Sequence, residues 1–240
     1  MLALSGVNGH SIEVPMKKDL LSIRDVTAAD VNMLMETAIR IKADIPAYYD
    51  HFRCRTIVLI FDKPSLRTRV TFEVAMRQFG GGSIYMPGKD ISLGQRESVS
   101  DGARNLSRWV DGVVMRTFGH DVIEDLAKNA NIPVINALTD LEHPCQALAC
   151  LLTLREHWGE THGKRMVFIG DGNNVAHSLM LLMPLAGMDF VMCCPKGYEP
   201  DPVIEHDAGV LARSFGVTYE RVTDPEPAVR GADIIYTDVW

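Results

Sequence analysis

The stretch Thr56-Ile-Val-Leu-Ile-Phe61 is an unbroken apolar run rich in β-branched residues. Such a run predicts a short buried strand. The chain then enters a helical pattern from Arg67 to Phe79, and Gly80-Gly81-Gly82 marks the end of that helix. A buried strand that leads directly into a helix is typical of a crossover unit, in which parallel strands are joined through helices.

The same alternation continues along the rest of the chain. Further strand-like runs cover residues 112–115, 133–136, 165–169, 190–193, 217–222 and 233–237. Helical patterns cover residues 121–130, 144–158, 174–185, 202–215 and 225–230, and an earlier one begins near Asp25 or Thr27, either of which could be its N-cap. Strands separated by helices predict an α/β protein with parallel sheets covered on both faces.

The polar, glycine-bearing segment 159–164 lies between two such groups of strands and predicts a boundary between two domains. We therefore expect an N-terminal extension over residues 1–17, a first parallel-sheet domain over 18–158 and a second, Rossmann-like domain over 159–240, with a cleft between the two domains. Ligands of such sheets bind outside the carboxyl ends of the strands. The turns from strand to helix are consequently where functional residues should be sought.

Composition excludes several classes of protein. The 240 residues are 47% hydrophobic, and the net charge of −7 comes without any basic run, so no nucleic-acid partner is expected. The apolar stretches are too short to span a bilayer, and the N-terminus lacks the pattern of a signal peptide. Five cysteines without a CxxC pair indicate reduced thiols and a cytoplasmic location.

The turn after the first strand has the features of a phosphate site. Ser65 is a natural N-cap, and the peptide N–H groups of Leu66, Arg67 and Thr68 would lie at the start of the helix. Guanidinium groups add charge-assisted hydrogen bonds to an anion, and Arg67 and Arg69 supply two of them. The alternative is an ordinary capped helix with solvated arginines.

Two later turns carry side chains suited to a carbonyl compound. Arg116 ends an apolar strand, where a guanidinium needs a partner or water, although alone it is typical of a salt bridge. His143 and Gln146 flank the start of a helix whose first residue is Pro144. The histidine can donate to a carbonyl oxygen and the glutamine amide can accept from an NH2 group, whereas a lone histidine is usually structural, and Cys145 could simply be packing.

The turn Gly170-Asp171-Gly172-Asn173-Asn174 begins like a dinucleotide fingerprint, but Val175 stands where the third glycine should be. Two asparagines at a helix start instead suit the carboxylate of an amino acid. Asp238, at the end of the last strand, could pair with an ammonium group. A dinucleotide-dependent oxidoreductase remains the competing class for this turn.

Together these five turns resemble the aspartate/ornithine carbamoyltransferase family, and its ornithine branch in particular, from about Lys18 to Trp240. The segment Ser65–Arg69 is similar to the family's carbamoyl-phosphate loop, usually Ser-Thr-Arg-Thr-Arg. It departs from it at Leu66, a position that contributes mainly its backbone N–H. His143-Pro144-Cys145-Gln146 resembles the second carbamoyl-phosphate motif.

The resemblance implies transfer of the carbamoyl group of carbamoyl phosphate to the side-chain amine of ornithine, giving citrulline and phosphate, with no metal or organic cofactor. It makes the first domain the carbamoyl-phosphate domain and the second the ornithine domain. It assigns catalysis to Arg67, Arg116 and His143. It assigns carbamoyl phosphate to Ser65, Leu66, Arg67, Thr68, Arg116, His143 and Gln146, and ornithine to Asn174 and Asp238.

The segment from Ser92 to Ser98 resembles a family loop that reaches into a neighbouring subunit's site, which implies a homotrimer. Arg96, where the family usually has lysine, is the expected contact in trans; a solvated polar loop is the alternative. The family's ornithine branch continues past Asp238-Val-Trp240 with Ser-Met-Gly and His-Cys-Leu-Pro elements, so we expect the second domain to be C-terminally incomplete. The remaining alternatives are another acceptor amine, such as aspartate, and an inactive oligomer partner.

Overall fold

The computed structural model describes residues 18–91 and 98–238. Its strands are β1 Thr56–Phe61, β2 Gly82–Pro87, β3 Gly112–Arg116, β4 Val134–Leu138, β5 Arg165–Ile169, β6 Asp189–Cys193, β7 Tyr219–Val222 and β8 Ile234–Thr237. Its α-helices are α1 Ala28–Ala43, α2 Leu66–Gln78, α3 Gly88–Ile91, α4 Val99–Trp109, α5 His120–Asn129, α6 Pro144–Trp158, α7 Asn174–Leu185, α8 Pro202–Phe215 and α9 Pro225–Ala228. Short 3-10 helices cover Ile23–Asp25 and Ile45–Tyr48. The extension 1–17, the loop residue Arg96 and the terminal Trp240 lie outside the described residues.

The first sheet has the order β2-β1-β3-β4, and every pairing in it is parallel. Alternation along β1 divides its side chains between two cores. Val58 and Ile60 pack with residues of α4 and α5, whereas Leu59 and Phe61 pack on the opposite face, against Phe72 of α2. Helices therefore cover both faces, as a parallel sheet requires.

The second sheet has the order β7-β6-β5-β8 and is also parallel throughout. Val167 and Val191 pack against Ala228 of α9 on one face. Helix α7 contacts β6 and also packs on α6 and α8. Every residue from Val175 to Leu185 is buried, which is typical of a central helix enclosed on all sides.

The chain divides into two compact units. Among the described residues, the first contains 18–21 and Glu36–Thr139, and the second contains Ser22–Met35 and 140–238. The predicted boundary at residue 159 differs from this division, because α6 packs on α7 and so counts with the second unit. No helix in the two described ranges is both long and apolar enough to cross a bilayer.

The expected fold class, two parallel sheets with flanking helices, is confirmed. The bounds of β1, β5, α6, α7 and α8 are those that the sequence predicts. Strand β2 and helix α4 were not predicted. The first follows a glycine run and has only half-buried or exposed residues, and the second contains Gly102 and Asn105, which weaken a helical pattern.

Candidate active site

The turn after β1 forms the start of α2. Ser65 has extended backbone angles, and its hydroxyl accepts a hydrogen bond from the Thr68 N–H at 3.3 Å, which makes it the N-cap. The first N–H groups of a helix have no carbonyl partners within it. They lie here beside the exposed side chain of Arg67. The structure thus gives this turn the donors and positive charge that an anion needs.

Arg116 lies at the same edge of the first sheet as this turn. It is the last residue of β3 and pairs in register with Phe61, the last residue of β1. Its carbonyl oxygen accepts from the Asp62 N–H at 2.8 Å. Adjacent parallel strands therefore place Arg116 at the same sheet edge as the turn that carries Ser65 and Arg67.

The Arg116 side chain is partly buried and lacks an acceptor at one atom. Its Nε is buried, and no hydrogen-bond partner for it exists within the described part of the chain. Burial lowers the pKa of the Arg116 guanidinium from its ordinary value. A buried donor without an acceptor is costly, and a bound carbonyl or phosphoryl oxygen would remove that cost. Arg116 is thus the residue of this unit that points most directly to a ligand.

Arg69, the second arginine of the turn, has a different environment. Its guanidinium lies 3.6 Å from the centre of the Tyr85 ring, and its Nε donates to Glu73 at 2.8 Å. Lys63 lies over the Phe118 ring at 4.5 Å. That both Arg67 and Arg69 serve an anion remains a prediction, and the structure shows Arg69 held by side chains of α2 and β2.

In the second unit, His143 is the N-cap residue of α6, and its side chain makes no capping hydrogen bond. The residue is buried, and its peptide N–H donates to the Ser178 hydroxyl at 2.9 Å. The preceding residue, Glu142, is fully buried and accepts from the Ile23 N–H at 3.0 Å and from the Ser178 hydroxyl at 3.1 Å. The Ser22 hydroxyl donates to the other oxygen of the same carboxylate.

Glu142 and Ser178 adjoin the candidate residue His143 and were not predicted from the sequence. A signal was present, since Glu142 directly precedes His143 and Ser178 is one of the few polar residues of a mostly apolar helix. Neither residue, however, has a local pattern that reveals its distant partner.

Gln146 lies on α6 and forms a side-chain hydrogen bond with Tyr236 of β8. Burial raises the pKa of the Tyr236 hydroxyl. Burial also raises the pKa of the Cys145 thiol to about 12, so this thiol stays protonated near neutral pH. Cys145 is thus suited to packing and not to nucleophilic chemistry.

The turn after β5 is joined to the end of β8. Asn173 is the N-cap of α7, and its side-chain oxygen accepts from the N–H groups of Val175 at 3.0 Å and Ala176 at 3.1 Å. Its amide nitrogen donates to Asp238 at 3.3 Å. Asn174 is the first residue of the helix. The two asparagines therefore differ: Asn173 organises the turn, and Asn174 stands at the helix start beside it.

Gly172 explains why this turn begins like a dinucleotide fingerprint. A Cβ on Gly172 would lie 2.3 Å from the backbone nitrogen of Pro200, and the Gly172 N–H donates to the Tyr198 carbonyl at 2.9 Å. The missing side chain makes room for the chain's own loop, Tyr198–Pro200, and not for a pyrophosphate. This packing argues against the dinucleotide interpretation.

The predicted site residues are divided between the two units. At the carboxyl edge of the first sheet or the start of α2, the structure brings together Ser65, Leu66, Arg67, Thr68 and Arg116. The second unit carries His143, Gln146, Asn174 and Asp238. Arg96 lies outside the described residues. Within the described ranges, no group of three or more His, Cys, Asp or Glu residues is arranged to hold a metal ion.

Comparison with known proteins defines the class. Residues 18–156 match the family model described as aspartate/ornithine carbamoyltransferase, carbamoyl-P binding domain. Residues 162–240 match the model described as aspartate/ornithine carbamoyltransferase, Asp/Orn binding domain. The chain therefore belongs to the aspartate/ornithine carbamoyltransferase family.

Individual relatives with high similarity to the chain are ornithine carbamoyltransferases. The chain is 52% identical over 188 residues to the ornithine carbamoyltransferase of Methanothermobacter thermautotrophicus, an alignment that covers 78% of this chain and 62% of the relative. It is 45% identical over 225 residues to the anabolic ornithine carbamoyltransferase of Pyrococcus furiosus, which covers 93% of this chain and 71% of the relative. The solved ornithine carbamoyltransferase from that organism superposes with a TM-score of 0.90 at 42% identity, covering 100% of this chain and 74% of the other. The chain thus spans about three fifths to three quarters of these relatives.

Proposed function

We propose that this protein is an ornithine carbamoyltransferase, which transfers the carbamoyl group of carbamoyl phosphate to the side-chain amine of L-ornithine in arginine metabolism. The similarity to ornithine carbamoyltransferases along both matched regions supports this activity. The observation that carries the proposal is the buried Nε of Arg116, which has no hydrogen-bond partner among the described residues and belongs to the sheet edge that also carries the helix start at Ser65.

Most of the groups proposed for the phosphate and the carbonyl belong to the first unit, and His143 of the second unit is proposed as a further carbonyl donor. Ser65, the amides of Leu66 and Thr68, and the Arg67 guanidinium bind the phosphate. Arg116, His143 and the Thr68 hydroxyl donate to the carbamoyl oxygen, where negative charge develops as the amine attacks. Donors placed at such an oxygen each contribute on the order of 100- to 1,000-fold in rate.

The second unit supplies the groups for the acceptor. Asn174 holds the α-carboxylate of ornithine and Asp238 its α-ammonium, while Gln146 orients the carbamoyl NH2. The side-chain amine forms the new C–N bond and loses a proton, and the C–O bond to phosphate breaks so that phosphate leaves with the electron pair. An alkyl amine has a pKa of about 10, so the neutral nucleophile is scarce at pH 7 and the rate should rise with pH.

The family resemblance and one surface feature support a homotrimer with Arg96 contributing in trans. Helix α2 exposes Leu66, Val70 and Val74 along one face. Next to Val74 lies an apolar groove of about 430 Å³, which Ile45 and Tyr49 also line. Exposed apolar surface of this kind is typical of an interface. All five cysteines are free, which supports a reducing, cytoplasmic compartment.

The test uses this chain and an analogue that joins a phosphonate to ornithine. We expect calorimetry to detect binding and Arg67→Ala to weaken it on the order of 10- to 100-fold, the value of a charge-assisted hydrogen bond. Arg108→Ala, which removes an exposed arginine of α4, should bind like the unmodified protein.

A citrulline assay completes the test. Activity with ornithine and none with aspartate supports the proposed acceptor. Unchanged binding in Arg67→Ala would overturn the phosphate assignment. No binding in any variant would favour the inactive oligomer partner.

A further inference from the structure

Glu142 is a fully buried carboxylate with an unusual set of donors. Its two oxygens accept hydrogen bonds from the Ser22 hydroxyl, the Ile23 N–H and the Ser178 hydroxyl. A buried carboxylate is costly unless hydrogen bonds compensate it, and here three donors converge on it. Glu142 directly precedes His143. The hydrogen bonds that hold the Glu142 carboxylate therefore also restrain the peptide between Glu142 and His143, the proposed donor to the carbamoyl oxygen.

Ser178 transmits this constraint to His143. Its hydroxyl donates to the Glu142 carboxylate at 3.1 Å and accepts from the His143 N–H at 2.9 Å. A hydroxyl has one proton and two lone pairs. Because the carboxylate can only accept, the Ser178 O–H must donate its hydrogen bond to Glu142. One lone pair of the Ser178 oxygen is then directed at the His143 N–H. The direction of the Ser178 hydroxyl is therefore determined by Glu142.

His177, the neighbour of Ser178 on α7, holds the other side of the turn. Its Nε2 accepts from the Asp201 N–H at 2.9 Å, so the neutral ring carries its proton on Nδ1. That proton is donated to the Leu141 carbonyl at 2.7 Å. Consecutive residues of α7, His177 and Ser178, thus hydrogen-bond to the peptide groups before and after Glu142.

We propose that Glu142 and Ser178 are positioning residues that orient His143 for carbamoyl transfer. Helix α7 then holds His143 at a fixed distance from the Asn173–Asn174 turn, because the helix begins at that turn and is buried along its length. The role of His143 in the reaction rests on the proposed function, whereas the positioning itself rests on the contacts alone.

The first test is independent of catalysis. Ser178→Ala removes the acceptor of the His143 N–H, so we expect hydrogen exchange of that amide to accelerate about fivefold or more. Glu142→Gln should accelerate it as well, because the hydroxyl loses its directing carboxylate. Unchanged exchange in both variants would overturn the positioning proposal, whatever the enzyme's activity.

The matched control is Ser107→Ala on α4. The Ser107 hydroxyl, like that of Ser178, both donates and accepts: it donates to the Ala103 carbonyl at 2.7 Å and accepts from the Asn131 N–H at 3.0 Å. This variant loses equivalent hydrogen bonds in the other unit. We expect it to lower stability without changing His143 exchange or turnover.

The second test is kinetic. Misplacing a reacting group by a fraction of an ångström costs on the order of 10- to 100-fold, so Ser178→Ala should lower kcat by that factor while KM for ornithine changes little. In a His143→Ala background the same substitution should change kcat less than about twofold, because there is no ring left to position. Equal losses in both backgrounds would indicate a purely structural role. If the parent chain lacked turnover, the proposed function would fail while the exchange result still decided the positioning.

Discussion

Arg116 and Arg69 belong to the same unit, yet their guanidinium groups have different surroundings. Arg116 has a buried Nε without an acceptor in the described ranges, whereas Arg69 is stacked on Tyr85 and bonded to Glu73. A residue held ready for a ligand has unfilled hydrogen-bonding capacity, and a residue that supports the fold has its capacity used. The two arginines should therefore respond to mutation in opposite ways.

We expect Arg116→Gln to lower kcat on the order of 100- to 1,000-fold, because it removes a donor to the developing oxyanion. Its free energy of unfolding should be unchanged or higher, since a partly desolvated cation is lost. Urea denaturation and a citrulline assay measure the two effects. A destabilised variant with normal turnover would show that Arg116 is structural.

Arg69→Ala is expected to give the reverse pattern. The loss of the contacts with Tyr85 and Glu73 should lower the urea midpoint, and the affinity for the bisubstrate analogue should stay within about twofold of the parent, since no ligand contact is removed. Val70→Ala, at the next position on α2, serves as the comparison. A large loss of analogue affinity in Arg69→Ala would show that this arginine contributes to phosphate binding.

At the scale of the element, both sheets use the same device at the amino ends of their strands. The Asp111 carboxylate, just before β3, accepts from the Thr56 N–H at 2.8 Å and from Arg55 at 2.6 Å. The Asp233 carboxylate, just before β8, accepts from the Arg165 N–H at 2.9 Å and from Lys164 at 2.9 Å. Each aspartate thus joins the start of its own strand to the start of the neighbouring one.

Asp111→Asn should lower the free energy of unfolding by about 1–2 kcal/mol, mainly because the bond from the Thr56 N–H loses its charged acceptor, since the Arg55 pair is solvent-screened. Burial acts to raise the pKa of the Asp111 carboxyl, but the bonds from Thr56 and Arg55 outweigh it and hold that pKa below its usual value. The stabilisation is therefore complete above the unfolded pKa of about 3.9 and is lost as the pH falls through the lower folded value.

The measurement is denaturation of Asp111→Asn and the parent at pH 7 and at pH 2.5. The difference between them should shrink at the acid pH. Asp50→Asn, at an exposed position, should show no difference at either pH. A difference that persists unchanged in acid would contradict the ionic origin of the effect.

The turn between β5 and α7 gives a second prediction at this scale. Gly172→Ala would place a methyl group 2.3 Å from the Pro200 nitrogen, so the turn or the loop must move. We expect weaker binding of ornithine, on the order of 10-fold or more, because Asn173, Asn174 and Asp238 move with the turn. Carbamoyl-phosphate contacts of the first unit should be retained.

Gly209→Ala on α8 is the matched control, since among the described residues only the flexible end of Arg213 lies near its added methyl group. A glycine-to-alanine change inside a helix should stabilise by about 0.5–1 kcal/mol. Calorimetry with ornithine analogues in the presence of phosphate compares the variants. Normal binding by Gly172→Ala would show that the close packing of this turn is unnecessary for the acceptor.

At the scale of the whole molecule, the exposed apolar face of α2 is expected to be covered by a second chain. Val70 and Val74 are 47% and 44% exposed. Val70→Asp should therefore dissociate the proposed trimer, because a charge is expensive to bury in an apolar interface. Sedimentation velocity measures the assembly. Val210→Asp, a comparably exposed valine of α8 at 40%, should leave it intact, and a parent chain that sediments as a monomer would refute the trimer.

Much of this protein is predictable from its sequence because the deciding signals are local. Apolar runs such as Thr56–Phe61 and Arg165–Ile169 indicate buried strands, and Pro144 and Asn173 mark the starts of helices. Parallel sheets bring strand ends to one edge. The positions of Ser65 and Arg116 at the carboxyl edge of one sheet therefore follow from the order of strands and turns.

The remaining features depend on tertiary contacts that leave no local pattern. The sequence alone does not separate Arg67 from Arg69, and the contacts of Arg69 with Tyr85 and Glu73 in the folded protein distinguish them. The carboxylate of Glu142 is fixed by Ser22, 120 residues away in the chain. Such pairs carry no periodicity or spacing, because their geometry exists only after both segments have packed. The sequence alone thus determined the sheets and the candidate turns, and the tertiary structure decided which side chains in those turns are held by the fold and which are available to a ligand.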